Sequence, residues 1–373
     1  MNRFCSAAGA AVIIGVGALA ATPAPAPAPP DVRTAHILLA AEDIVIDFVR
    51  HAQTNPSGDV IAVASNGVPG FPLSDLGQQQ SVDAANKLFA ELGGPNGVAG
   101  IFGGQEQRMI ETANPFDTLE HMTMQPMAGF NEISGGMYAG APPGSLGDIL
   151  YELTVFAWAL GLRSVPMTGS NDYNGNFFEA NVNGAINTIY QDAIANGTVS
   201  ANGHITDVVY SGGGLISAWP LMNVTNPDVA VFIPLLISTL TSGNANGFLS
   251  NAGVTEIEGN PQDGWTLVTF DGHPMPAYPG LLTELILDLR NLITAPQTAE
   301  YDLTQAVING DTTGIETALT TGLHDIGTTL LQFPGTVIDD ISDAVQRLSA
   351  DITAGQSFSD AFGSVIIGLV ETT

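Results

Sequence analysis

A chain of 373 residues with 45% hydrophobic and 12% charged residues is too apolar and too sparsely charged to stay disordered. Its length points to one large domain with an appendage or to two domains. With 37 acidic against 8 basic residues, a net charge of −29 and Lys87 as the one lysine, it lacks the clustered cations that nucleic-acid binding needs, and adsorption to anionic membranes is disfavoured.

The elements follow in chain order. Met1-Asn2-Arg3 opens a segment that runs apolar from Ala7 to about Ala21 and contains Ala18-Leu19-Ala20, a small-x-small cleavage pattern. It reads as a secretory signal peptide, with an uncleaved anchor as the alternative, and predicts a protein secreted or held in the cell envelope. Cys5 is the one cysteine, so neither an internal disulfide nor a cysteine-based zinc site can be built. Residues 22–30 alternate Pro and Ala as a stiff polyproline II spacer, so 1–30 are leader and linker.

Ile44 to Val49 is a β-branched run that breaks into Arg50-His51, as a buried parallel strand does at its carboxyl end. Val98 to Phe102 ends in Gly103-Gly104, and Ile205 to Tyr210 ends in Ser211-Gly212-Gly213-Gly214, each followed by a helical pattern. A helix also follows Leu73-Ser74-Asp75-Leu76-Gly77. Strands alternating with helices predict an α/β domain with a mainly parallel sheet over 31–275. Ile149 to Leu160 is almost wholly apolar, either packed over the core or a lid touching a lipophilic substrate or envelope lipid. Val229 to Leu240 is similarly apolar and reads as buried, and 251–272 read as a closing hairpin. Residues 276–373 have three-to-four-residue apolar spacing, predicting several amphipathic helices broken at Pro296, Gly310 and Pro334-Gly335. Surface acids such as Asp339, Asp340 and Asp343 give these helices a solvated face, free to dock on the domain or on a partner.

In an open α/β sheet, ligands bind beyond the carboxyl ends of the strands. Arg50, His51 and Arg108 fall there. Arginine offers a planar fork of donors suited to a phosphoryl group, and a neutral imidazole can attack phosphorus and carry the group covalently. His36, His121, His273 and His324 are scattered without ligand spacing, so neither a metal nor another cofactor is expected.

Arg50-His51-Ala52-Gln53-Thr54 followed by Leu73-Ser74-Asp75-Leu76-Gly77-Gln78-Gln79-Gln80 resembles the opening of the histidine phosphatase superfamily, whose signature is Arg-His-Gly-x-Thr and then Leu-Thr-x-x-Gly-x-x-Gln. Gln107 to Ala113 is similar to the family's second-arginine helix, and Glu132 has glycines at +4 and +8. Tyr210 to Gly214 stands where the family has Ser-His-Gly-Gly, and Asn251 to Thr255 looks like its final hairpin, so the resemblance spans about 44–272 in order. It implies a three-layer α/β/α sandwich and a phosphomonoester hydrolase or, in the alternative, a non-catalytic phosphate- or partner-binding module of the cell envelope. A third option is a structural envelope protein whose C-terminal helices make the contacts.

The resemblance makes His51 the phosphate-accepting nucleophile and Glu132 the proton donor to the leaving oxygen. Arg50, Arg108, Thr54, Gly212 and Gly213 would hold the phosphate of a small monoester. The family's second histidine aligns with Gly212. Losing one preorganised donor costs about 10²–10³ in rate. A slow enzyme is expected, which Gly212→His would speed if that loss is what limits it. His204, at the far end of its strand, is too distant to substitute.

Overall fold

The computed structural model describes residues 42–55, 70–142, 144–228, 231–233, 237, 249–276 and 278–368. The predicted leader and linker, with Cys5, lie outside them. All described residues fall in one compact unit, Ala41–Thr373.

β1 (Ile44–Arg50) is buried along its whole length, which is why its sequence shows no polar alternation. It sits centrally in a seven-stranded sheet of order β3-β2-β4-β1-β5-β6-β7, with β2 (Gly100–Gly103), β3 (Gln125–Pro126), β4 (Ile205–Ser211), β5 (Val254–Asn260), β6 (Gly264–Phe270) and β7 (His273–Pro274). The strands from β3 to β1 run parallel, and β5, β6 and β7 add an antiparallel edge that contains the expected hairpin.

Helices cover both faces. On one, Val49 and Val208 pack with Ala85 and Leu88 of α1 (Asp75–Glu91) and Met109 and Phe116 of α2 (Gln107–Glu120). On the other, Ile44, Ile46 and Phe48 meet α3 (Leu146–Ala159), α4 (Gly175–Asn196) and α5 (Gly213–Asn223) through Trp158, Ile189 and Trp219. Each fully buried large side chain contributes about 1.5–3 kcal/mol, and the period-two alternation of β1 divides that burial between two cores. The result is the expected three-layer α/β/α sandwich.

The C-terminal region differs from expectation. α6 (Leu281–Ile308) and α7 (Thr312–Thr353) form one long antiparallel hairpin, followed by the short α8 (Phe358–Phe362). The chain turns at Gly310, φ +66°, but Pro296 and Pro334 lie inside helices. Both prolines are exposed. Each removes one hydrogen bond on the solvent side, and the packed sides of the hairpin carry the helices through.

α6 is fastened to the sandwich by polar groups. Arg290 donates to the carbonyls of Leu221 (2.8 Å) and Val224 (3.4 Å) at the end of α5, and Gln297 donates to the Gly161 carbonyl (2.7 Å). Nη2 of Arg347 in α7 donates to both carboxylate oxygens of Glu284 in α6, each at 2.9 Å. No helix among the described residues is long and apolar enough to cross a membrane. In the stretch read as buried, Phe232 is buried, but Ile233 and Ile237 are exposed, 37% and 55%.

Candidate active site

The carboxyl ends of β1, β4 and β2 lie side by side, with Arg50 opposite Ser211 and Gly103 opposite Tyr210. His51 follows directly, its N–H bound to the Ser211 carbonyl (2.9 Å). The Ala52 N–H donates to Thr112 Oγ1 (3.0 Å), and that hydroxyl donates to the Arg108 carbonyl (2.6 Å), so the histidine loop is tied to the first turns of α2, where Arg108 stands.

The second motif serves to hold the first. Ser74 caps α1, and its N–H donates to the Gln53 carbonyl (2.9 Å). Gln80 Oε1 accepts from the Gln53 N–H (2.9 Å), and any Cβ on Gly77 would overlap the Gln53 carbonyl oxygen. The glycine and the glutamine are therefore needed for close approach and for one hydrogen bond, which explains their spacing within a single helix face. Thr54 forms a backbone bridge with Leu73 and is half-buried.

The electrostatics suit a neutral nucleophile. His51 is pushed down to about 3 by burial, then by the charges of Arg108 and Arg50. Its Nδ1 lies 2.9 Å from the Ala52 carbonyl, which can only accept, so the proton sits on Nδ1 and Nε2 keeps its lone pair. Arg50 donates to the Leu249 carbonyl, and burial lowers its own pKa. Arg108 forms an ion pair with Glu106, whose carboxyl is raised by burial against the pull of that arginine.

Glu132 reaches the site from the loop after Phe130. That loop is pinned by the Ser211 hydroxyl donating to the Phe130 carbonyl (2.8 Å). The Glu132 carboxylate accepts from the N–H groups of Gly214 (3.3 Å), Leu215 (3.1 Å) and Ile133 (2.9 Å), so it sits on the positive end of α5. A Cβ on Gly212 would overlap that carboxylate, whereas Gly213 lies against Arg50. Glu132 thus takes the space that a side chain at 212 would claim.

The structure brings Arg50, His51, Arg108, Glu132, Gly212 and Gly213 together around the ends of β1, β2 and β4. Two neighbours went unread in the sequence. Glu106, two residues before Arg108, neutralises it. Tyr151 of α3 lies against Gly214, its oxygen 2.7 Å from where a Cβ would stand. The one tyrosine in an apolar helix was its one signal. No group of three or more metal-ligating residues occurs among the described residues.

Residues 46–156 match the family model of the histidine phosphatase superfamily (branch 1). The chain is similar to the PE-PGRS family protein PE_PGRS11 of Mycobacterium tuberculosis, 42% identical over 306 residues, 81% of this chain and 49% of the relative. It thus spans about half the length of that curated relative. Among solved structures it is similar to mycobacterial hydrolase 1, 18% identical with a TM-score of 0.41 over 62% of this chain and 99% of the other. It is also similar to a mycobacterial glucosyl-3-phosphoglycerate phosphatase with inorganic phosphate, 17% identical with a TM-score of 0.42 over 62% and 98%. The segment that matches the histidine phosphatase superfamily, residues 46–156, is thus the one that contains Arg50, His51, Arg108 and Glu132 of this site.

Proposed function

We propose that this chain is an exported phosphomonoester hydrolase that works through a phosphohistidine on His51 at an attenuated rate. The observation that carries the reading is the imidazole itself: neutral, proton on Nδ1, Nε2 available, and set at a strand end between two arginines. Nε2 attacks phosphorus, the P–O bond to the alcohol breaks, and Glu132 supplies the proton to the departing oxygen. Water then attacks the phosphohistidine, the N–P bond breaks, and the proton of that water returns to Glu132. Arg50 and Arg108 hold the phosphoryl oxygens, with Gly213 beside Arg50.

Attenuation follows from the missing imidazole at 212, about 10²–10³ in rate for one lost donor. The strongly negative chain disfavours polyphosphates, so the substrate is a small monoester. A second reading, a phosphate- or partner-binding module without turnover, draws on the Arg108–Glu106 pair and on Glu132 capping α5, both of which occupy groups that would otherwise meet phosphate.

The test is hydrolysis of an aryl phosphate by the purified protein between pH 4 and 8. Loss of at least 10³ in kcat in His51→Ala supports the enzyme, and a wild type no faster than His51→Ala moves the assignment to the binding module. Export is tested separately: an amino terminus within residues 19–31 of protein recovered outside the cytoplasm supports a cleaved leader.

A further inference from the structure

The C-terminal hairpin leaves one face of α7 exposed. Eight large aliphatic side chains of this helix are exposed, from Leu319 and Ile352 at 44% to Leu331 at 83%. At about 100° per residue they fall within one third of the helix circumference. Gly322, which lies against Ala299 of α6, and the buried Ala344 mark the packed side, about a quarter-turn away. Between Leu319 and Ile352 the charged residues are Asp325, Asp339, Asp340, Asp343, Arg347 and Asp351, and the same helical count puts every one of them outside that third. The exposed aliphatic surface is on the order of 800 Å², about what each partner of a stable association buries and more than the largest apolar patch of an ordinary monomer.

We infer that this face is an interface between two copies of the chain, their α7 helices packed antiparallel about a two-fold axis. The spacing of the apolar residues is self-complementary. Forward from Leu319 the steps to Leu323, Ile326 and Leu330 are four, three and four residues, and backward from Ile352 the steps to Leu348, Val345 and Ile341 are the same. An axis passing between Gly335 and Thr336 therefore sets Leu319 against Ile352 and Leu330 against Ile341 of the second copy, and the intervening pairs are also aliphatic on both sides. The contact is isologous, so one stripe serves both copies and the assembly closes at two. Charge selects the same occupant. A chain of net charge −29 repels its own copy, and on α7 this stripe is the surface where two copies can meet without opposing carboxylates. A helix that lies in a lipid surface has Lys and Arg along its polar flank, whereas five of the six charged residues flanking this stripe are aspartates.

Sedimentation of the purified protein over a micromolar concentration series is expected to show a dimer. Leu330→Lys alone and Ile341→Glu alone each set two charges against aliphatic side chains of the second copy, and each is expected to weaken the dimer by about 100-fold. An equimolar mixture of the two variants is expected to recover it, because a mixed pair has one wild-type contact and one lysine-to-glutamate contact. Both substitutions replace exposed side chains, and recovery on mixing requires that both variants be folded. A wild type that stays monomeric throughout overturns the inference, and if that monomer sediments with phosphatidylcholine vesicles, the face meets a lipid surface instead. A dimer that neither substitution weakens forms elsewhere on the chain, and one that both weaken but mixing does not restore lacks the antiparallel register. Either result overturns the inference.

Discussion

Gly212 and Glu132 are one decision made at two positions. With glycine at 212, the Glu132 carboxylate can lie against the backbone and cap Gly214 and Leu215; with any side chain there, it cannot. A gain from Gly212→His would mark the missing histidine as what limits the rate, and the geometry argues against such a gain. Gly212→His is predicted to be no faster than the wild type, and to lose about 1–3 kcal/mol of stability as the carboxylate is driven off its backbone donors. Steady-state assay beside urea unfolding checks both parts, and a clear gain in kcat would show that Glu132 yields. Arg108 is balanced in a similar way, since the reaction proposed above requires Glu106 beside it to be displaced or accommodated.

At the scale of elements, α5 joins the site to the C-terminal hairpin. Glu132 meets its positive end, and its final carbonyls are met by Arg290, which binds Leu221 and Val224, and by Arg163, which binds Met222 at 2.8 Å. Both ends of an 11-residue helix thus have charges of the favourable sign. Arg290→Met is expected to lower stability by about 1–3 kcal/mol, because buried carbonyls lose their donor, and thermal unfolding measures it. β1, β2 and β4 were legible as strands because burial on both faces leaves an unbroken apolar run, and the hairpin was legible from its turn residues. Arg50-His51 was legible because a polar pair ended such a run. Pro296 and Pro334 misled because helix packing outweighed their local cost. Glu106 and Tyr151 were not legible as site residues, since each acquires meaning only when a distant strand end or glycine is brought against it.

At the scale of the molecule, acidity sets the pH response. Asp47, buried in β1 opposite Glu256, is pushed up to about 8 by burial, then by Glu256 and Glu91. Glu152 is raised to about 7, and Asp340 to about 6. A carboxyl raised on folding binds its proton more tightly in the native state than in the unfolded one. Its contribution is therefore fully present below the unfolded value, near 4, and is lost as pH rises through the folded value. Stability is expected to fall from about pH 5 to pH 8. Asp47→Asn should recover on the order of 3–5 kcal/mol at pH 8 and almost nothing at pH 4, since each tenfold gain in proton affinity on folding corresponds to about 1.4 kcal/mol. Unfolding at the two pH values checks this, and equal effects would contradict the assignment of that carboxyl.

The five arginines of the described residues all engage protein oxygens, through carbonyls or carboxylates. That leaves the outer face of α1 with the chain's one lysine, Lys87, its side chain 65% exposed and only 3.9 Å from Glu91. An amine-directed dye or crosslinker should therefore attach to the folded body at a single address, on the face of α1 turned away from the sheet. A fluorophore placed there would report on the molecule without touching its chemistry.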